Sequence, residues 1–373
     1  MTMRVLHLID SLTPGGAQTI ALEPFDVQLS NANIFLYALR QNPPHFEFRH
    51  PNIFIDSTYN KHSVKPLRKI VAFIKAHEID ILHCHLVRSQ FRAWFIKKIW
   101  CPNLKLVFHE HGPIFGTDCS SWFHWRMITL FKLSRAEVDR YVAVSSATKA
   151  LLIKKCGIDS NKIDIVHNFT NLNKFHPNVA VSKKLLNQFE GRGFKIGFVG
   201  RFDEVKGCQF LIMALSQLAF EAHLIFVGDG EMRKQLNELT IELGLQEKVT
   251  FLGFVNSPEK VYRLFDVLVL PSISEAFGNV IIEAQACGVP VIASNLSGPA
   301  EIITHGENGL LFTPGNASAL AQSIDMIYRN PQLRASIIKK GLEKINQYSL
   351  EEYINKINPV SYTHLTLPTI CSV

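Results

Sequence analysis

The sequence predicts an α/β protein built from two doubly wound parallel-sheet domains that face each other across a cleft. Three observations predict it. Short apolar runs alternate with helix-like segments along most of the chain, the pattern of a parallel sheet covered by helices. The chain has 373 residues, 47% of them hydrophobic, enough for two ordinary domains with full cores. A polar stretch, Asn168–Gly193, with Pro177 and Gly191, separates two such alternating series and reads as a hinge.

In the first series the strands are Arg4–Ile9, Ile34–Leu39, Ile53–Ile55, Ile79–His83, Lys105–His109 and Tyr141–Val144, with helices such as Val64–His77 and Ser146–Lys155 between them. The second series restarts with a strand at Phe194–Val199, then a helix at Gln209–Ala219 and a strand at His223–Val227. It continues through a helix at Glu231–Leu243, strands at Val249–Phe251 and Val267–Leu270, a helix at Asn279–Ala286 and a strand at Pro290–Ala293. The domains are therefore expected at 1–172 and 173–345, with a closing helix at 346–358 that returns toward the first domain. From Pro359 the chain loses both charge and amphipathic period. The stretch 359–373 reads as a foreign or frame-shifted end, or else as a disordered terminus.

No run of 18 apolar residues occurs, so no spanning helix is expected, and the start reads as a first strand rather than a signal peptide. Seven cysteines without a C-x-x-C pair suit reduced thiols in a cytosol. The net charge of +7 favours an anionic partner, but no nucleic-acid reading motif accompanies it. Between Ile81 and His109 there is no acid, while Arg88, Arg92, Lys97, Lys98 and Lys105 fall there and the four Trp residues cluster in and just after it. Two readings of Arg88–Arg135 stand side by side. It is a peripheral surface for anionic lipid, or Phe91, Trp94, Phe95 and Ile99 form an ordinary core-facing helical stripe.

The most informative stretch is Ser272–Val289. Glu275 precedes Glu283 by eight positions, with Phe277-Gly278-Asn279 after the first acid. If both were helical they would stand about 12 Å apart, so they do not grip one atom together. Glu275 is expected in a loop and Glu283 on the helix that follows. The helix start between them is a place to hold an anion. Acid, anion cradle and acid suit a molecule alternating hydroxyls and phosphates, such as a nucleotide sugar. Upstream, Gly200-Arg201-Phe202-Asp203-Glu204-Val205-Lys206-Gly207 directly follows a strand, where ligands of open parallel sheets bind. Arg201 and Lys206 there are placed to hold a pyrophosphate, one as a planar fork and one as a point charge.

These features resemble retaining glycosyltransferases of the GT-B type, in the large family-four group, with two Rossmann-like domains. The resemblance rests on E-x7-E (Glu275 to Glu283), GR-x4-KG (Arg201, Lys206), Gly228–Val255 and Ser297–Asn316, in that family's order. It is dense over about Gly193 to Ile345 and thinner in the first half, through PGGAQ, HEHG and VSSATKALL. It implies transfer of a hexosyl or N-acetylhexosaminyl group from a UDP- or GDP-sugar to a glycan or lipid-linked acceptor, with retention, in surface polysaccharide or lipopolysaccharide synthesis. Glu283 would bind the ribose hydroxyls, and Arg201 and Lys206 would neutralise the leaving diphosphate. Glu275, with the backbone of Phe277, Gly278, Asn279 and Val280, would hold the sugar and phosphate. Val255 completes the donor set, Gly15 and Gly16 would border the donor phosphate, and His111 would touch the sugar. The implied place of work is the cytoplasm or the inner membrane face.

No metal is implied, and no D-x-D occurs. His83, His85, His109 and His111 recur at alternate positions of two strands, on one side of each, so a four-histidine metal site stands as an alternative to hydrogen-bonded strand histidines. A nucleotide-sugar epimerase on the same fold, or an inactive nucleotide-binding homologue, are the competing functions. An epimerase would turn over donor without acceptor, and the intact Arg201, Lys206, Glu275 and Glu283 oppose inactivity.

Overall fold

The computed structural model describes residues 3–12, 15–27, 33–40, 50–56, 65–112, 121–181, 183–358 and 360, with backbone only at 26, 27, 65 and 121–124. The expectations for Pro14 and for the tail beyond Val360 therefore fall outside the described residues. The chain divides into two units. The first comprises residues up to 114, Ser120–Asn168 and the chain from Tyr353, and the second holds Phe169–Glu352.

The first unit is a seven-stranded sheet: β1 (Val5–Ile9), β2 (Ile34–Ala38), β3 (Ile53–Ile55), β4 (Ile81–His85), β5 (Lys105–Glu110), β6 (Arg140–Ala143) and β7 (Ile163–Ile165). Its order is β3-β2-β1-β4-β5-β6-β7, and neighbours are paired in parallel. The second unit carries β8 (Phe194–Val199), β9 (Ala222–Val227), β10 (Val249–Gly253), β11 (Val267–Leu270), β12 (Val291–Ser294) and β13 (Leu310–Phe312). Their order is β10-β9-β8-β11-β12-β13, again parallel. Each unit is Rossmann-like, and its strand order reverses once, between β1 and β4 and between β8 and β11.

The apolar runs form strands because they can be buried on both faces. All residues of β2, β4, β9, β11 and β12 are buried. The second core centres on Phe198, Phe202 and Phe226, all fully buried with their rings 5.5–6.1 Å apart. Local chemistry sets the helix ends. Ser145 caps the helix Ser146–Cys156 by accepting from the Thr148 N–H, and Gly157 ends it in the left-handed region, as cap geometry requires.

Some boundaries differ from those the sequence predicts. The strand expected at Ile79–His83 is Ile81–His85, because the Ile79 N–H bonds the Ile74 carbonyl and closes the preceding helix, Lys65–Ala76. The helix expected at Gln209–Ala219 is Cys208–Leu215, and that at Glu231–Leu243 is Arg233–Glu242. The polar stretch 168–193 contains a short helix, Lys183–Gln188, and a helix spans Leu350–Asn358. No helix among the described residues is long and apolar enough to cross a membrane.

Candidate functional site

In the second unit the loops after β8 and β11 leave the sheet on either side of the strand-order reversal, where open parallel sheets hold ligands. They are also tied together. The Val205 carbonyl accepts from the Ile273 N–H at 2.7 Å. Gly207 sits at φ 63, and a Cβ there would lie 2.2 Å from the Pro271 carbonyl oxygen, so a side chain would force the loops apart.

Lys206 Nζ donates to Glu275 Oε2 at 2.7 Å, and the two side chains are only 21% and 13% exposed. Ser272 Oγ donates to the same oxygen at 3.2 Å. Arg201 stands at the other end of the loop, pairs with Asp203 at 3.0 Å and keeps 78% of its side chain exposed. The sequence-predicted cation pair is thus split in role: one ammonium is held against an acid, and one guanidinium is presented outward.

Glu275 lies in the loop and Glu283 on the helix Asn279–Ala286. Gly278 begins that helix at φ 100, a conformation other residues resist. Phe277 is 1% exposed and meets the Tyr348 ring edge-on at 5.8 Å, so its side chain belongs to the core. Asn279 and Val280 are half-buried in the first turn. Glu283 accepts from the Tyr262 hydroxyl at 2.5 Å. Burial, reinforced by the Glu283 charge, drives the Tyr262 hydroxyl well above its ordinary pKa, so it remains a donor. Val255 is half-buried just beyond β10. Ser272, Tyr262 and Asp203 had no sequence signal of their own. They are found only through the residues they hold.

In the first unit the histidine set grows from four to five. Parallel pairing sets His7 beside His83 and His85 beside His109, and alternation puts them on one face with His111. His7 Nδ1 lies 2.9 Å from His85 Nε2, His85 Nδ1 lies 2.8 Å from His111 Nε2, and His83 Nε2 lies 3.2 Å from His109 Nδ1. Burial lowers His7 to about 4 and His111 to about 3, and carries His83, His85 and His109 well below the ordinary value. All five imidazoles are therefore neutral at pH 7. His7, His83 and His85, and likewise His85, His109 and His111, each bring one nitrogen within 4.8 Å of the others, and among the described residues these are the groups that could hold a metal. On the sheet's other face Glu110 accepts from Gln90 Nε2 at 2.6 Å. Burial raises its carboxyl to about 8, only partly opposed by that bond. Gly16 opens the helix Gly16–Val27, and the Gly15 carbonyl accepts from the Thr19 N–H at 3.0 Å.

The basic stretch is largely paired. Lys97 and Lys105 bind Asp139 at 2.7 and 3.4 Å, and Lys98 lies 3.8 Å from Glu137. Trp94 is buried and Phe91 packs edge-on against Phe108 and Phe131, while Phe95, Ile99, Trp125 and Leu133 are exposed. Two residues of the four-residue stripe face the core and two do not.

Residues 15–174 match the family described as Glycosyltransferase Family 4, and residues 186–344 match that described as Glycosyl transferases group 1. An uncharacterized glycosyltransferase of Methanocaldococcus jannaschii is 29% identical over 79% of this chain and 77% of its own length. The lipopolysaccharide core biosynthesis glycosyltransferase LpsE of Rhizobium meliloti is 34% identical over 51% of this chain and 55% of its own. The crystal structure of Anabaena HepE in complex with UDP-glucose superposes with a TM-score of 0.81 at 24% identity, covering 95% of this chain and 98% of that one. The fold is that of the two-domain GT-B proteins.

Proposed function

As the chain belongs to the glycosyltransferases, joining a Family 4 domain to a group 1 domain, we propose that it moves a hexosyl or N-acetylhexosaminyl group from a UDP- or GDP-sugar to a glycan or lipid-linked acceptor, with retention. The observation that carries this reading is the Lys206–Glu275 pair at 2.7 Å, beside the outward Arg201 and the helix start at Gly278, all at the strand-order reversal of the second unit.

When the bond between sugar and phosphate breaks, negative charge grows on the leaving phosphate oxygens. Fixed cations and N–H dipoles aimed there supply the main stabilisation. In the proposal Arg201 forks onto the diphosphate and Lys206 adds a point charge, which makes transfer metal-independent. Glu275 orients Lys206 and accepts from sugar hydroxyls. Glu283, fixed by Tyr262, accepts from the ribose, and Val255 borders the nucleoside. By the resemblance alone, Gly15, Gly16 and His111 of the first unit are assigned to the donor as well. Retention follows if the acceptor attacks from the leaving-group face and a phosphate oxygen takes its proton, so no protein nucleophile is required.

Surface polysaccharide or lipopolysaccharide synthesis is the proposed setting, in line with the named role of the Rhizobium relative. The five described cysteines are all unpaired thiols, as in a cytoplasmic protein. Exposed Phe95, Ile99, Trp125 and Leu133 are the proposed contacts with the inner membrane face.

Thermal-shift measurement with UDP, GDP and their sugars tests the proposal. A ligand at a hundred times its Kd adds about 2.7 kcal/mol of stability. A melting temperature that rises with one nucleotide series supports the reading. One unmoved by any of them at millimolar concentration refutes it.

A further inference from the structure

Two H-x-H pairs run side by side in the first unit. His83 and His85 lie on β4, His109 lies on β5 and His111 just beyond it, and the register sets His85 beside His109. Alternation turns each pair to one side of its strand. Two histidines from one strand and a third from its neighbour form a three-imidazole set, which holds a zinc-class ion and leaves a fourth position open. His85, His109 and His111 each bring one nitrogen within 4.8 Å of the others.

Hydrogen bonding divides the ring nitrogens into two kinds. His85 Nε2 meets His7 Nδ1 at 2.9 Å, and His109 Nδ1 meets His83 Nε2 at 3.2 Å. Contacts of this sort orient a metal-bound imidazole and fix its tautomer. They leave His85 Nδ1, which faces His111 Nε2 at 2.8 Å, and His109 Nε2. That last nitrogen is buried, on a fully buried residue, with no hydrogen-bond partner among the described residues. A buried polar atom without a partner is costly, and an ion that takes its lone pair removes the cost. The facing nitrogens of His85 and His111 share one proton. An ion about 2.0–2.1 Å from each would spread them to about 3.3 Å, a shift of about half an ångström. Their rings lie 22° from parallel and must tilt for the lone pairs to converge, which the loosely held imidazole χ2 allows.

We propose that His85, His109 and His111 bind one zinc-class divalent ion, with His7 and His83 as its outer partners. The ion site does not rest on the transfer reading above. Its consequence does: an ion there takes the imidazole that the resemblance assigns to the sugar, so it would inhibit transfer rather than assist it.

Equilibrium dialysis of the full chain against zinc chloride measures the ion directly, and cobalt substitution reports its ligands by absorption spectroscopy. One equivalent of zinc is expected, and a cobalt spectrum of nitrogen ligands with no thiolate-to-metal band. His111→Asn, at a half-buried position, should weaken zinc at least about a hundredfold, while His7→Asn, which removes only an outer partner, should cost about tenfold. His111→Cys should restore binding and add a thiolate-to-cobalt band, an outcome that a merely structural His111 would not produce. Melting curves without zinc confirm that each variant is folded. Less than one equivalent on the unaltered chain, a thiolate band there, binding indifferent to His111→Asn, or a greater loss in His7→Asn than in His111→Asn overturns the site. Because neither nucleotide nor sugar is present, failure of the donor reading leaves this test intact.

Discussion

Replacing Lys206 with Met separates the catalytic from the structural part of the Lys206–Glu275 pair. The pair is about four-fifths buried at 2.7 Å. Breaking a fully buried pair costs about 3–5 kcal/mol, and an exposed pair contributes at most about 1. This pair falls between, at about 2 kcal/mol, mostly the cost of leaving Glu275 without its cation. For a unit of this size that lowers the melting temperature by about 4–8 °C. The rate effect is separate. Losing one donor aimed at developing charge costs about 10²–10³ in turnover, or about 2.7–4 kcal/mol. The assay is steady-state transfer well below the melting transition, with the donor identified by thermal shift, in Lys206→Met, Glu275→Gln and the double variant. The double variant removes the stranded carboxylate, so it should regain most of the stability and none of the turnover. Turnover that recovers together with stability, or a single variant within threefold of the unaltered chain, would refute the assignment.

Glu283→Gln and Tyr262→Phe should each weaken nucleoside mono- and diphosphates alike by about tenfold, since one charged hydrogen bond is worth about 1.5–3 kcal/mol. Calorimetry with both ligands checks this, and loss confined to the diphosphate would contradict a ribose role. Glu110 is held protonated to about pH 8 by burial. Its folded pKa is raised, so its favourable contribution is present below about pH 4.5 and is lost as pH climbs toward 8. Glu110→Gln should match the unaltered chain near pH 4.5 and exceed it by up to about 4 kcal/mol near pH 8. Denaturant titrations across that range read the difference, and a pH-independent gap would rule out the neutral carboxyl. Gly278→Ala places a Cβ at φ 100 and 2.9 Å from Ile281 Cδ1. It should cost about 1–3 kcal/mol and weaken nucleoside diphosphate binding as the helix start shifts, both measurable on one preparation.

The alternation of strands and helices, the two candidate cations and the loop-then-helix placement of the two acids were legible because each is a local signal. Apolar runs buried on both faces announce parallel strands, and a glycine flanked by acids announces a helix start. What was not legible depends on pairing across the sheet. β7 and β13 are three-residue strands that the sequence did not show, whereas β3, equally short, was legible. His7 joins the histidine cluster only because β1 pairs with β4 in a register that sets it beside His83. Tyr262 meets Glu283 across 21 residues of chain, and the lysines of the basic stretch find Asp139 and Glu137 some forty residues away. For that reason the charge run overstated the cationic surface. Arg88 and Arg92 read as part of that run, and only the strand order shows them converging on Asp10.

The most direct test of the donor site is a crystal structure with UDP or GDP bound. The account predicts phosphate oxygens within hydrogen-bonding distance of Arg201 and Lys206 at the start of the helix Asn279–Ala286, with ribose hydroxyls on Glu283. A nucleotide bound elsewhere, or with its diphosphate turned away from those two cations, would contradict it.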